Sequence, residues 1–253
     1  MERARGRAQL RVYGPLNDHL PPEERQTSFE RTFFTPSTVK DLIESSGIPH
    51  TEVEWIAANG ETVGFDYVVR DGDRVGVYPA FEFLEMQGVP RLRPPLERPP
   101  RFVLDVHLGK LAAYLRMLGF DVFYRNCLTD PQLARVSAEE QRILLTRDRG
   151  LLKHGEVIYG CWLRETGSRA QTAEVLRRFD LAGELRPFTR CMACNGCLEM
   201  VDKEHARSSI PPRVAERHEE FRRCPECGRV YWKGTHYQRM ERWIAELSRQ
   251  GLG

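Results

Sequence analysis

Two Cys-x-x-Cys pairs near the C-terminus constrain the fold of this chain more than any other feature. Cys191 and Cys194 form the first pair, Cys224 and Cys227 form the second, and residues 195–223 lie between them. Each pair lets two thiolates point at one ion, and two pairs complete a tetrahedral Zn²⁺ site with no open position. A redox motif would account for one pair but not for both. The spacing therefore predicts a structural zinc site.

The three other cysteines leave one ambiguity. Cys194 and Cys197 also have the Cys-x-x-Cys spacing, so Cys197 could replace one of the zinc ligands. Cys127 and Cys161 each stand alone within an apolar stretch, where a buried cysteine without a role is expected. The N-terminus lacks the apolar core of a signal peptide, and no apolar run approaches the roughly 18 residues of a membrane span. We expect a cytoplasmic protein with no membrane contact.

A proline-rich segment from Gly88 to Pro100 indicates where the chain divides. Five of the chain's 16 prolines fall within it. Proline removes an amide donor and favours extended backbone, so the segment is either a semi-rigid linker or a docked recognition segment. The predicted organisation is an N-terminal domain (1–87), a linker (88–100), a central domain (101–188) and a zinc module (189–253).

The net charge conceals a contrast between the two halves of the chain. The 38 Lys and Arg residues nearly balance the 36 Asp and Glu residues, which leaves a formal charge of +2. Residues 1–80 carry 9 basic and 13 acidic residues, whereas 101–188 carry 14 and 11, and 189–253 carry 12 and 9. A mildly basic back half is compatible with nucleic acid, although it lacks the strongly basic composition of many nucleic-acid binders.

The residues before the proline-rich segment predict a small domain of mixed structure. Alternating residues at 8–13 and 27–33 indicate a strand pair, residues 36–45 a capped helix, and residues 51–57 and 71–78 two further strands. This β-β-α-β-β order, with the motifs at 58–63 and 70–75, resembles the β-grasp, ubiquitin-like fold of sulfur carriers. Those carriers end in a free Gly-Gly, whereas this chain continues through Tyr78 to Phe81. The resemblance therefore implies a structural or partner-binding role rather than sulfur transfer.

Short apolar segments that end near a carboxylate follow the proline-rich segment. Asp105 comes directly after an apolar run, Asp148 ends a second one, and Asp130 begins the helix between them. Helices alternate with these runs, which predicts an α/β domain with a mainly parallel sheet. The carboxyl ends of parallel strands line a ligand crevice, and converging carboxylates bind Mg²⁺ or Mn²⁺. An aspartate after a strand is also a common helix cap or turn residue.

Three stretches in this region resemble one nuclease family. Residues 102–105, 109–121 and 143–149 are similar to the Mut-7 C-terminal RNase domain family, a PIN-like group that often carries a zinc ribbon and sometimes a ubiquitin-like domain. The resemblance implies a PIN-like three-layer domain that cleaves RNA with Mg²⁺ or Mn²⁺. It implies that Asp105 is the first acid and Asp148 the acid of the Leu-Thr-Arg-Asp motif. Asp130 fits the acidic residue that lies between these two in the family pattern, which we call the middle acid. Glu139 and Glu140 are alternative candidates for the same role.

The same resemblance extends into the zinc module. Residues 190–195 resemble the family's Arg-Cys-x-x-Cys-Asn knuckle, which implies Cys191 and Cys194 as ligands. Residues 231–236 resemble its Tyr-Trp-x-Gly-x-His signature, whose aromatic residues either stack on unpaired bases or close the core of the ribbon. Residues 238–250 predict a final helix whose apolar stripe packs against the rest of the chain.

The preferred interpretation is a metal-dependent ribonuclease whose substrate and partner is RNA. Arg116, Arg147 and Arg149 could contact phosphate, or they could be solvated surface arginines. The alternative is a non-catalytic RNA-binding or adaptor protein, in which the zinc ribbon grips RNA and the β-grasp domain recruits a protein partner.

Overall fold

The computed structural model describes residues 5–79 and 91–250, and its N-terminal domain (residues 5–79) has a β-β-α-β-β-β order, one short strand more than the sequence predicted. The elements are β1 (Arg5–Val12), β2 (Ser28–Phe34), α1 (Val39–Ser45), β3 (Trp55–Ala58), β4 (Glu61–Thr62) and β5 (Arg74–Tyr78). They form a mixed sheet in the order β2-β1-β5-β3-β4, in which β1 runs parallel to β5 and antiparallel to β2. The β-grasp prediction is confirmed at the level of this mixed sheet.

Local sequence explains these elements. Residues of β1 alternate between exposed and buried positions, so Ala8, Leu10 and Val12 face the core. Helix α1 begins with a capping box, in which the Asp41 amide donates to Thr38 Oγ1 at 3.1 Å and the Thr38 amide donates to Asp41 Oδ2 at 3.1 Å. The predicted third strand begins late, at Trp55, because residues 50–52 form a 3₁₀ turn.

The central region alternates strands and helices, as the sequence predicted, except that a short 3₁₀ turn separates its last two strands. Its elements are β6 (Phe102–Leu104), α2 (Gly109–Met117), β7 (Val122–Phe123), α3 (Asp130–Glu139), β8 (Ile143–Thr146), β9 (Gly160–Trp162) and α4 (Ser168–Arg178). Strand β6 pairs with β7 and strand β8 pairs with β9, both in parallel. All residues of β6 and β8 are buried, which is typical of parallel strands covered on both faces.

The C-terminal region contains two helices that the sequence did not predict. Its elements are β10 (Glu199–Val201), α5 (Lys203–Arg207), α6 (Pro212–Arg217), β11 (Phe221–Arg223), β12 (Val230–Trp232) and α7 (Thr235–Gln250). Strands β10, β11 and β12 form an antiparallel sheet, and Ala206, Ala215 and Phe221 form a small core beneath it. In α7 the Trp243 side chain is buried, with its ring centroid 4.8 Å from that of Tyr114 in α2. The predicted packing of the last helix is confirmed.

The chain folds into two compact units. The first comprises residues 1–96 and 130–162, and the second comprises residues 97–129 and 163–253. The described part of the proline-rich segment has specific contacts in the first unit, because Leu92 packs against the N-terminal core and the Tyr159 hydroxyl donates to the Pro94 carbonyl oxygen at 2.6 Å. Gly88 to Pro90 lie outside the described residues, and the predicted domain boundaries stay a prediction. None of the described helices is long and apolar enough to span a bilayer.

Candidate functional site

The two Cys-x-x-Cys pairs have the same local backbone structure. The Asn195 amide donates to the Cys191 carbonyl oxygen at 2.9 Å, and the Gly228 amide donates to the Cys224 carbonyl oxygen at 2.9 Å. Asn195 and Gly228 have φ values of 80° and 72°, in the left-handed region that glycine and asparagine adopt most readily. The residue after each pair therefore allows the tight turn that directs its two sulfur atoms to one side.

The four predicted ligands come together. The Sγ atoms of Cys191, Cys194, Cys224 and Cys227 all lie within 4.8 Å of one another. The Cys191–Cys227 and Cys194–Cys224 sulfur distances are 3.5 and 3.3 Å. A Zn–S bond of about 2.3 Å places tetrahedral sulfur ligands about 3.8 Å apart, so this donor set fits a structural zinc ion. Cys197 is exposed and lies outside the cluster, so the geometry favours Cys191 and Cys194 as the first pair of ligands.

Hydrogen bonds favour the thiolate form of one cysteine in this cluster, Cys191. Burial by itself raises the pKa of the Cys191 thiol, but hydrogen bonds from the Tyr231 hydroxyl and from the amides of Cys194 and Ala193 lower it to about 7. Burial raises the pKa of Cys194 to about 12. Thiolates are the metal-binding form, and four of them this close require a cation to offset their mutual repulsion. The Tyr231 hydroxyl lies 3.1 Å from Cys191 Sγ.

The first knuckle is attached to α2 and β7 by two polar side chains. The Arg116 guanidinium donates to the carbonyl oxygen of Ala193 through Nη1 at 2.8 Å and to that of Val122 through Nη2 at 2.8 Å. Asn195 Oδ1 accepts from the Val122 amide at 2.9 Å, and Asn195 Nδ2 donates to Asp121 Oδ1 at 3.0 Å. The asparagine of the knuckle motif thus joins the zinc module to the edge of strand β7.

Three expectations from the sequence need correction or refinement. Arg116 does not present its side chain to phosphate, because it is 5% exposed and its guanidinium bonds to backbone carbonyl groups. Burial lowers the pKa of Arg116, and the neighbouring Cys194 and Cys191 sulfurs act in the opposite direction. Cys161 is buried as expected, whereas Cys127 is exposed because it lies in the turn after β7. Trp232 packs against the ribbon core, which favours the structural interpretation of that aromatic residue.

Asp105 lies in the second unit, directly after β6. It is half-buried, and its carbonyl oxygen accepts a hydrogen bond from the Leu108 amide at 2.9 Å. This bond forms a single 3₁₀ turn, Val106–Leu108, that leads into α2. The residue therefore stands at the carboxyl end of a buried parallel strand, where the sequence predicted it.

Asp148 lies in the first unit, two residues after β8. Its amide donates to Oγ1 of the buried Thr146 at 2.9 Å, and its own Oδ1 accepts from the Gly150 amide at 2.7 Å. A Cβ at position 150 would lie 3.1 Å from Asp148 Oδ1, so glycine permits this close approach. The Asp148 carboxylate is exposed on a turn whose backbone is fixed by these two hydrogen bonds.

The candidates for the middle acid lie on or near α3 of the first unit. Asp130 is exposed at the first residue of this helix, and Glu139 is exposed at its last residue. Glu140 Oε2 lies 2.6 Å from Arg142 Nε, so this carboxylate forms an ion pair. The ion pair makes Glu140 the weakest of the three candidates.

The structure gathers one group of three or more cysteine, histidine or carboxylate ligands among the residues it describes. That group is the four-cysteine cluster, and it includes none of the three aspartates. Asp130 and Asp148 belong to the first unit and Asp105 to the second. The roles of Asp105, Asp130 and Asp148 therefore stay a prediction.

Two buried residues of the N-terminal domain contact the region around Asp148, and no sequence pattern indicated them. His19 and Glu52 are 33 positions apart and lie in no recognisable motif. Their side chains are fully buried and in contact with each other. Each of the two residues has one polar and one apolar neighbour in the sequence, so the local pattern does not reveal a long-range pair.

The fold and the cysteine site together define a class of protein that joins a ubiquitin-like domain to an α/β region and a four-cysteine metal module. The chain belongs to the Mut7-C family: the family model described as Mut7-C RNAse domain matches residues 100–244, and the model described as Mut7-C ubiquitin matches residues 6–85. The family resemblance stated from the sequence is confirmed. A comparison with curated proteins gave no match.

Proposed function

We propose that this protein is a metal-dependent ribonuclease with a PIN-like central domain. The observation that carries the proposal is the position of Asp105 and Asp148 near the carboxyl ends of two buried parallel strands, β6 and β8, in a chain that matches an RNase family over these residues. Ligands of α/β sheets bind at this end of the strands. The match to a family described as an RNase domain supports nuclease activity. The aspartates support a mechanism that depends on bound metal ions.

Asp105, Asp130 and Asp148 would hold Mg²⁺ or Mn²⁺, because hard divalent cations prefer carboxylate oxygen. The bound metal would activate a water and stabilise the charge that develops on the phosphodiester. Asp148 is already oriented through its hydrogen bond from the Gly150 amide. Arg147 is exposed beside Asp148 and would contact an RNA phosphate. Structural zinc at the four cysteines would hold the C-terminal module in place.

The test is cleavage of single-stranded RNA in the presence of Mn²⁺. Asp105→Asn and Asp148→Asn should each lower the rate by about 100-fold or more, because removing a metal ligand removes several kcal/mol of transition-state stabilisation. Asp130→Asn and Glu139→Gln, measured side by side, identify the middle acid. Asp66→Asn changes an exposed aspartate of the N-terminal domain and should cleave at the wild-type rate.

Equal rates for the wild type and the Asp105 and Asp148 variants would contradict the mechanism. RNA binding that is unaffected by EDTA and yields no cleavage would instead favour the adaptor function. In that case the ubiquitin-like domain would recruit a protein partner and the zinc ribbon would hold the RNA.

A further inference from the structure

A buried carboxylate–imidazole pair lies within the first unit. Glu52 Oε2 is 2.7 Å from His19 Nε2, and both side chains are fully buried. Glu52 ends the 3₁₀ turn His50–Glu52. A buried carboxylate is stable only where hydrogen bonds replace its hydration, so the remaining oxygen also requires a donor.

The donor for the second oxygen comes from outside the N-terminal domain. Glu52 Oε1 accepts a hydrogen bond from the Trp162 amide at 2.7 Å. Trp162 is the last residue of β9, the strand that pairs in parallel with β8. One carboxylate therefore connects a turn of the ubiquitin-like domain to the backbone of the central region.

Trp162 in turn contacts both neighbours of Asp148. Its indole Nε1–H donates to the Arg147 carbonyl oxygen at 3.2 Å, and its ring lies 5.3 Å from the Arg149 guanidinium carbon. Arg149 Nη1 also donates to the His19 carbonyl oxygen at 3.2 Å. The His19 and Trp162 rings are packed with their centroids 4.9 Å apart.

These contacts fix the residues on both sides of Asp148. Arg147 is held through its backbone and Arg149 through its side chain, and the His19–Glu52 pair holds Trp162 in the required position. A catalytic carboxylate must stay within about 0.5 Å of its productive position, and such precision depends on the surrounding shell. The N-terminal domain supplies that shell for residues 146–150, which we call the Asp148 segment.

We propose that the ubiquitin-like domain is a built-in positioning element of the nuclease, in which Glu52 and His19 hold the Asp148 segment through Trp162 and Arg149. The role in catalysis rests on the proposed nuclease function, whereas the holding of the segment does not. Glu52 and His19 act through other residues, so they are positioning residues and not catalytic ones.

Hydrogen exchange in the full-length protein tests the holding of the segment without any need for activity. In Glu52→Ala, amides of the Asp148 segment and of Trp162 should exchange at least tenfold faster than in the wild type. Glu52→Gln keeps an oxygen acceptor for the Trp162 amide and should exchange at close to the wild-type rate. Asp73→Asn is the matched control, because Asp73 is a buried carboxylate of the same domain whose bonds run to Asn59, Tyr67 and Arg70.

Cleavage kinetics test the consequence for the reaction. Glu52→Ala should lower kcat at least tenfold, whereas KM for RNA should stay within threefold of the wild type. In Glu52→Gln, kcat should stay close to the wild-type value. If Glu52→Ala does not fold, Trp162→Phe removes the indole donor to Arg147 and reduces the ring that packs beside His19 and Arg149, and it should also accelerate exchange of the Asp148 segment.

The outcomes separate the two proposals. If the wild type does not cleave RNA, the proposed function fails, and hydrogen exchange still decides whether Glu52 holds the segment. If Glu52→Ala and Trp162→Phe leave exchange of the segment at the wild-type rate, the positioning proposal is overturned, whatever the protein cleaves. Equal acceleration in Asp73→Asn would also overturn it, because the effect would then be general destabilisation.

Discussion

Arg116 and Ala193 are joined by a 2.8 Å hydrogen bond, from the guanidinium Nη1 of helix α2 to the carbonyl oxygen inside the first cysteine knuckle. The same guanidinium bonds to Val122 in strand β7. One buried cation therefore connects three parts of the second unit: a helix, a strand and the predicted zinc site. The zinc module is consequently anchored to the fold of this unit by specific hydrogen bonds.

Replacement of Arg116 by alanine should destabilise the protein by more than about 2 kcal/mol, because the buried Val122 carbonyl group and the partly buried carbonyl groups of Met192 and Ala193 would lose their donor. Its effect on zinc affinity should be about 10- to 100-fold, the range found when groups that support metal ligands are removed. Urea unfolding and competition with a colorimetric chelator measure the two quantities. Arg213→Ala, at an exposed position of α6, is the control, and equal behaviour of both variants would refute the anchoring role.

Removal of zinc should unfold the C-terminal module while the N-terminal domain stays intact. The reason is that the small core around Phe221 cannot replace the energy of four metal–thiolate bonds. Limited proteolysis with mass spectrometry should show new cleavage sites after residue 189 in chelator-treated protein. An unchanged proteolysis pattern would show that the site is not structural.

The choice of ligands can be tested by counting zinc ions per chain. Cys191→Ser should lose the zinc ion, whereas Cys197→Ser should retain one ion per chain, because the Cys197 side chain is exposed outside the cluster. Elemental analysis of the purified variants gives the ratio. Zinc loss in Cys197→Ser with retention in Cys191→Ser would reverse the assignment.

Asp73 should make the N-terminal domain sensitive to acid. Burial alone raises the pKa of this carboxyl, but hydrogen bonds from the Arg70 amide, Asn59 and Tyr67 outweigh it, and the pKa is lowered. The resulting stability is present above the unfolded value of about 3.9 and is lost as the pH falls through the lower folded value. Melting temperatures between pH 5 and pH 2 should fall less steeply in Asp73→Asn than in the wild type. Parallel curves would contradict this linkage.

Gly119→Ala should be strongly destabilising. Gly119 ends the turn after α2 with φ of 100°, and a Cβ there would lie 2.3 Å from the Arg186 carbonyl oxygen. Both the backbone conformation and the contact oppose a side chain, so the loss of stability should exceed about 1 kcal/mol. Gly183→Ala is the matched control in the same unit, since nothing lies within 4 Å of its Cβ. Thermal unfolding of both variants tests the difference, and equal melting temperatures would exclude this explanation.

Local patterns in the sequence predicted the elements of the fold better than its long-range contacts. The alternation in β1, the cap of α1 and the two cysteine pairs are properties of neighbouring residues. The structure confirms the first two, and it brings the four paired cysteines together. The helices α5 and α6 are only five and six residues long, too short for a clear amphipathic period.

The residues that sequence analysis missed depend on tertiary structure. Arg116 has the pattern of a surface arginine on a helix, but the knuckle 76 residues later covers it. The role of the Glu52–His19 pair depends on the Trp162 amide, which donates to Glu52 from 110 positions later in the chain. Neither partner is visible from local spacing, so the chemistry of these residues could not be assigned from the sequence.

The assignment of residues 130–162 to the same unit as the N-terminal domain has a practical consequence for dissection of the molecule. A fragment that starts near residue 100 would contain the whole RNase match, yet it would lack the acceptor for the Trp162 amide and the His50 side chain that bonds to the Val157 carbonyl oxygen at 2.9 Å. Such a truncation would remove these partners of the Trp162 amide in β9 and of the Val157 carbonyl oxygen before it. The ubiquitin-like domain therefore supplies bonding partners that a fragment cut at the proline-rich segment would lack.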